Sequence, residues 1–362
     1  MSKRILFLVP YPLHESPSQR FRFEQYFTIL RSNGYSYRVQ NFLNSGNWGI
    51  FFKSGHSLIK LGALIGGLTK RVIVLLKSPM YDFVFIHREA APLGPPIFEW
   101  ILAKILRKKI IYDFDDAIWL TDRQQESAFF RMAKWRRKVG SICKWSYKVS
   151  CGNEYLSNYA ALFNKRVVYN PTTIDTENLH RRVSNPEPDQ ASDRIRIGWT
   201  GSHSTLKYLD EIQPVLRKIL SAYPQVEFLV IADRPSSLDV GPSLMFIPWN
   251  SETEIMDLLQ FDIGIMPLPD DQWAMGKCGF KALQYMALEL PAVASPVGVN
   301  SKIINHGVNG FLCNTPEEWE EAFRKLIEDS DLRKKMGING RRTVVENYSV
   351  LSNSANFLSL FE

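Results

Sequence analysis

The sequence predicts two doubly wound α/β domains in tandem, facing each other across a cleft. Three observations lead there. The chain has 362 residues, more than twice the usual length of one domain. Apolar, strand-length runs alternate with longer helix-period stretches in both halves, the signature of parallel βαβ units. Between the halves lies a polar segment, residues 171–193, with three prolines and no apolar period, which reads as a linker. Hydrophobic residues make up 45% and charged residues 22%. Both are ordinary globular values and exclude disordered, collagen-like and coiled-coil classes.

Taken in order, residues 5–9 form the first strand, and residues 18–32 a helix closed by Asn33-Gly34, whose glycine suits a C-cap. Strands then fit at 37–42, 83–87, 109–114, 148–151 and 166–169, with helices between, so the first domain spans 1–170. After the linker, IRIGWT opens the second domain, 194–348. A helix at 205–222 and strands at 226–232, 244–247, 262–266, 292–294 and 310–313 follow. An acidic helical pair at 316–347 completes it, and the apolar tail, 349–362, is expected to form a helix packing back on the first domain. Ligands of open α/β sheets sit at the carboxyl ends of the strands, which here line the expected cleft.

The net charge of +7 hides an asymmetry. Residues 1–170 hold 26 Lys/Arg against 11 Asp/Glu, and residues 171–362 hold 18 against 26, so one half is +15 and the other −8. A surface built to wrap nucleic acid needs no such split, so the halves are expected to meet different partners, none of them nucleic acid. Cys143, Cys151, Cys278 and Cys313 lie far apart and read as reduced thiols. The N-terminal apolar run is short, holds Pro10 and Pro12, and reads as a strand rather than a signal peptide. Residues 57–78 are interrupted by Lys60, Lys70, Arg71 and Lys77, so no membrane-spanning helix is predicted. That stretch reads as a buried crossover helix, with an interfacial helix as the alternative.

Residues 261–301 carry the most chemistry. A strand ends at Met266, a loop holds Asp270, Asp271 and Trp273, and a helix starts near Cys278-Gly279. Lys281 and Gln284, at i, i+3 spacing, are expected to point together. Gly276 and Gly279 let backbone approach a ligand, while helix-start amides with Lys277 and Lys281 favour an anion. Solvated structure is the competing reading of the same pattern.

The run DIGIMPL, GKCGFK, LQYMA, LPAVASPVG and VNGFL closely resembles the nucleotide-sugar-binding domain of group 1 glycosyltransferases, the family 4 type, of the GT-B fold. The likeness covers roughly 194–349 and includes GWTGS at 198–202. The first half resembles the family more loosely, through PSQRFR, FVFIHRE and YDFDDAIWL. The resemblance implies transfer of a sugar from a nucleoside diphosphate donor, with retention and without an obligatory metal or other cofactor. It places Lys207, Lys277 and Lys281, with Gly201 and Ser202, at the donor diphosphate. It places Gln284 at the second position of the family's Glu-x7-Glu pair, where its amide can bond ribose hydroxyls. The first position falls on Gly276, so neither glutamate is present, and Asp270 or Asp271, with Gly279 and Phe280, are expected at the donor sugar or ribose.

In the first domain, Asp113, Asp115 and Asp116 follow a strand. Hard oxygen ligands suit Mg or Mn, and an aspartate cluster also invites the metal-binding motif of the other glycosyltransferase fold. The GT-B likeness disfavours that reading and sets Asp115 and Asp116 near the acceptor hydroxyl or donor sugar, helix capping being the alternative. His87 ends a neighbouring strand and is a candidate to assist an acceptor, or else a satisfied core histidine. The resemblance sets Arg20 and Arg22 in the loop where the family contacts donor phosphate or acceptor, and their planar forks suit phosphate; two basic residues early in an exposed helix are the alternative. The basic run 131–148, with Trp135 and Trp145, suits the anionic inner face of a membrane, a charged outer helix with its tryptophans turned into the core being the alternative. The expectation is therefore a cytoplasmic, peripheral glycosyltransferase acting on a saccharide or lipid-linked acceptor. A nucleotide-sugar epimerase and a catalytically silent nucleotide-sugar-binding partner are the alternatives.

Overall fold

A computed structural model describes residues 3–51, 55–121, 126–181 and 194–362. The chain divides into two compact units: unit 1 comprises Met1–Thr172 and Asn353–Glu362, and unit 2 comprises Thr173–Ser352. Unit 1 holds a sheet of β1 (Lys3–Val9), β2 (Tyr35–Asn41), β3 (Phe83–His87), β4 (Lys109–Phe114), β5 (Lys148–Cys151) and β6 (Val167–Tyr169), in the order β2-β1-β3-β4-β5-β6. Unit 2 holds β7 (Ile195–Gly201), β8 (Val226–Ala232), β9 (Leu244–Pro248), β10 (Ile263–Met266), β11 (Ala292–Ala294) and β12 (Gly310–Leu312), in the order β12-β11-β10-β7-β8-β9. The strand ladders of both sheets are parallel.

Burial explains the strand sequences. Ile5–Val9 is buried without a break because β1 is central and covered on both faces, whereas the edge strand β2 alternates between half-buried and exposed residues. Side-chain caps fix several helix starts. Asn153 Oδ1 accepts the Leu156 amide, and Thr315 and Glu318 form a reciprocal capping box at the helix Pro316–Glu328.

The order in each sheet reverses at one point, between β1 and β3 in unit 1 and between β7 and β10 in unit 2. Loops leaving neighbouring strands diverge there and open a crevice at the carboxyl edge.

Two expectations of local structure change. The predicted helix 18–32 is three short pieces, Pro17–Arg20, Glu24–Tyr26 and Phe27–Ser32, because Phe21, Phe23 and Tyr26 are all drawn into the core. The predicted helix 205–222 is a 3-10 stretch, His203–Ile212, followed by an α-helix, Gln213–Ala222, with Pro214 in its first turn. Residues 171–181, read as linker, are ordered: Ile174 pairs with Ser349, and Thr173, Ile174 and His180 are fully buried. Residues 182–193 of that linker lie outside the described residues. Residues 353–362 contribute Phe357, Leu360 and Phe361 to the core of unit 1, and Tyr26 stacks on Phe357 at 4.1 Å. Among the described residues, no helix is long and apolar enough to cross a membrane.

Candidate functional site

In unit 2 the reversal point collects most of the residues singled out from the sequence. β7 ends at Gly201, and Ser202 opens the following turn. The helix Phe280–Ala287 follows β10 and begins at Gly279, whose φ of 69° is the left-handed conformation glycine adopts without strain. A Cβ on Gly279 would meet Ile303 Cδ1 at 2.3 Å, so packing as well as φ selects glycine. No side chain caps this helix start, and its first-turn amides have no intrahelical acceptor.

Lys281 leaves the first turn and lies along β7: its ammonium is 5.4 Å from the Trp199 ring, and a Cβ on Gly201 would fall 2.9 Å from its Cε. Gly201 therefore makes the room that Lys281 occupies. Tyr285 ties the same elements together, accepting the Thr200 amide at 3.1 Å and donating to Ile265 O at 3.3 Å. Lys277 sits 5.0 Å from the Trp273 ring, and Lys207, exposed on the 3-10 stretch, 5.4 Å from the Tyr208 ring. Asp271 caps the short helix Gln272–Met275 by accepting the Ala274 amide at 2.7 Å, and Asp270 is exposed beside it. Phe280 is half-buried.

Gln284 departs from expectation. It is only 1% exposed, and its amide nitrogen lies 3.3 Å from Glu254 Oε1 and 3.5 Å from His180 Nε2. It faces the interior while Lys281, three residues earlier, faces β7, so the two do not point together. Glu254 and His180 were not found from the sequence. They lie 30 and 104 residues from Gln284, and no local spacing announces them.

In unit 1 the strand-end groups separate into two sets. His87, fully buried, meets Asp113 Oδ2 through Nδ1 at 2.8 Å and Ser18 Oγ through Nε2 at 3.2 Å. Arg22, also buried, pairs with Asp113 and donates to Asn170 O, while Ser150 Oγ donates to Asp113 Oδ1 at 2.6 Å. Burial raises the Asp113 pKa, but the Arg22 charge and the His87 hydrogen bond outweigh it and hold the carboxyl well below the usual range. Arg22 is therefore a structural ion-pair partner and not a phosphate ligand. His87 is a buried histidine with both ring nitrogens engaged, by Asp113 and by Ser18. Arg20 is half-buried with its guanidinium 5.1 Å from the Phe21 ring.

The second set is more open. Arg88, at φ 60°, donates to Asp115 Oδ1 at 2.9 and 2.8 Å and to Asp116 Oδ2 at 2.6 Å. One guanidinium thus holds both aspartates. Arg88 was visible only as the middle of His87-Arg88-Glu89, because its partners lie 27 and 28 residues away.

Comparison with solved structures defines the fold. A glycosyltransferase from Rickettsia africae superposes with a TM-score of 0.68 at 16% identity, covering 99% of this chain and 98% of that one. Anabaena Alr3699/HepE, solved in complex with UDP and glucose, gives 0.65 at 16% identity over 99% and 98%. The fold is GT-B. Residues 207–343 match the family described as glycosyl transferases group 1. Human alpha-1,3/1,6-mannosyltransferase ALG2 is 30% identical over 112 residues, 31% of this chain and 26% of that protein. N-acetyl-alpha-D-glucosaminyl L-malate synthase of Bacillus anthracis is 24% identical over 133 residues, 36% of this chain and 33% of the synthase. The chain thus spans about a third or less of the length of these curated relatives.

Proposed function

We propose that this protein transfers a sugar from a nucleoside diphosphate sugar to a saccharide or lipid-linked acceptor in polysaccharide or glycolipid assembly. The observation that carries the reading is Lys281, laid past Gly201 at the reversal point of unit 2 and beside an uncapped helix start. Departure of a nucleoside diphosphate builds negative charge on the leaving oxygen. A fixed ammonium and oriented amides aimed at that charge stabilise the transition state without reorganising. Lys277 and Lys207 add positive potential, and the Ser202 hydroxyl a further donor. The group 1 match and the UDP bound by a protein of the same fold support this assignment.

The group 1 likeness supports retention of anomeric configuration. Metal independence is supported by Arg88, which holds Asp115 and Asp116 where a divalent cation would otherwise compete. With Gln284 turned inward, sugar and ribose contacts pass to Asp270, Asp271 and backbone near Gly279. The reading places the protein in the cytoplasm, in peripheral contact with an anionic membrane face.

Thermal-shift measurement across UDP-, GDP- and other nucleotide sugars tests it. One class is expected to raise the melting temperature, since ligand at 100 times Kd stabilises the native state by about 2.7 kcal/mol. No shift with any of them would overturn the assignment. Product anomers read by NMR test retention, and an absolute requirement for added Mn or Mg would overturn metal independence.

A further inference from the structure

The helix Ser57–Lys77 has one face fixed inward. Ala63, Gly67, Arg71 and Val74 are buried, and a Cβ on Gly67 would collide with the Phe42 ring. Arg71 donates to the carbonyls of Ala90, Gln40 and Val9 at 2.7, 2.8 and 2.8 Å, which locks the rotation of the helix. The opposite face is therefore held outward. It carries Leu58 and Leu76, 84% and 79% exposed, with Leu61, Ile65 and Val72 between them, each more than half exposed. At 1.5 Å per residue this aliphatic stripe runs about 27 Å. Single exposed leucines are ordinary, but five in line on one helix make a contiguous apolar surface. The neighbouring helix Ile97–Trp100 also exposes Ile97 and Trp100, while its Phe98, like Leu64 and Leu68, packs against the cluster of Phe42, Leu43, Ala63 and Ala91.

Charge identifies the occupant. Along one flank lies a cavity of about 100 Å³ lined by Arg38, Gln40, Lys70, Lys77 and Tyr81. Between Glu24 and Asp82 the chain holds seven Lys/Arg and no acidic residue. In the basic run 131–148, by contrast, three of the seven Lys/Arg are engaged in ion pairs: Lys134 and Lys138 pair with Glu89, and Arg136 with Glu126.

We propose that the Leu58–Leu61–Ile65–Val72–Leu76 stripe seats in the boundary between headgroups and acyl chains of an anionic phospholipid bilayer, with lipid phosphates held by Arg38, Lys70 and Lys77. This deepens the membrane part of the function proposed above and is independent of donor binding. An aliphatic stripe parallel to the surface, bordered by cations, has the composition of an interfacial helix. The cavity, lined also by Leu6, Ile73 and Val74, gathers ammonium and guanidinium groups on the sheet-facing flank of the same helix, from which long basic side chains reach headgroup phosphates.

The full chain is sedimented with vesicles of phosphatidylcholine alone and of phosphatidylcholine with phosphatidylglycerol. Binding at least about tenfold stronger to the anionic vesicles, weakened by high salt, is expected. Ile65→Glu with Leu61→Glu is expected to lower it at least about tenfold, with an unchanged melting temperature and nucleotide-sugar shift. Lys70→Glu with Lys77→Glu is expected to abolish the anionic preference. Absence of binding to anionic vesicles would overturn both this inference and the membrane reading. Binding indifferent to Ile65→Glu would overturn this face alone and leave membrane contact standing. A dimer in sedimentation velocity that Ile65→Glu dissolves would assign the stripe to a second copy. Stabilisation by inorganic phosphate through Lys70 and Lys77 without vesicle binding would reduce the cavity to a soluble-anion site. Either result overturns the proposal.

Discussion

Lys281 carries the sharpest consequence at the residue scale. A charge-assisted hydrogen bond is worth about 1.5–3 kcal/mol, so Lys281→Ala is expected to lower kcat/KM for the donor about 10- to 100-fold. Its ammonium lies over the Trp199 ring and its Cε beside Gly201 on a half-buried side chain, so the melting temperature is expected to move by a few degrees at most. The Arg22–Asp113 pair makes the opposite prediction. Asp113→Asn leaves a guanidinium buried without its counter-charge and is expected to cost about 3–5 kcal/mol in urea unfolding. The depressed Asp113 carboxyl contributes stability that is complete above its unfolded value of about 4 and is lost as pH falls toward the folded value. Burial instead raises Glu24 and Glu99 in the same unit, so acid relieves them. The difference between wild type and Asp113→Asn is therefore expected to shrink as the pH falls below about 4, and a constant difference would refute the linkage. None of this was legible locally, because Arg22 and Asp113 stand 91 residues apart.

At the scale of elements, the start of the helix Phe280–Ala287 is the point where conformation and site coincide. Gly279→Ala places a Cβ at positive φ and against Ile303, which is expected to cost about 2–4 kcal/mol from strain and overpacking together. Donor stabilisation is expected to weaken in the same variant, because the first turn that carries Lys281 must shift. A helix disturbed elsewhere in unit 2 provides the control. Thr315→Ala removes a capping box at Pro316–Glu328 and is expected to cost about 1 kcal/mol while leaving donor binding unchanged. Strands were the most legible elements. Residues 83–87, 109–114, 148–151 and 226–232 were read to the residue, because parallel strands buried on both faces are continuous apolar runs. The segment 18–32 misled because Phe21, Phe23 and Tyr26, at spacings of two and three residues, cannot share one face of a regular helix, yet all three are buried.

For the whole molecule, the chain begins in unit 1, forms unit 2, and ends in unit 1. Phe357, Leu360 and Phe361 are fully buried there, and burial of each such side chain is worth about 1.5–3 kcal/mol. Ending the chain at Ser352 is therefore expected to remove much of the stability of unit 1, against totals of about 5–15 kcal/mol for a typical domain. Calorimetry is expected to show an early transition for unit 1 and a later one for unit 2 that still shifts with nucleotide sugar. A single unshifted transition would show that donor binding needs both units intact.

By itself the sequence determined the order of strands and helices, the two-unit organisation, the group 1 segment, and the gathering of Gly201, Gly279 and Lys281 near strand ends. The elements are written in periodicity and turn residues, which act over a few residues, whereas the last two features came through the likeness to the group 1 family. Only the tertiary structure decided which polar groups face outward. Arg22, His87 and Gln284 are consumed by partners brought from 26 to 148 residues away, Arg88 is held by two aspartates, and Leu58 to Leu76 are left uncovered. The physical reason is that burial and charge pairing are properties of the packed chain: a side chain's chemistry depends on which distant group is folded against it.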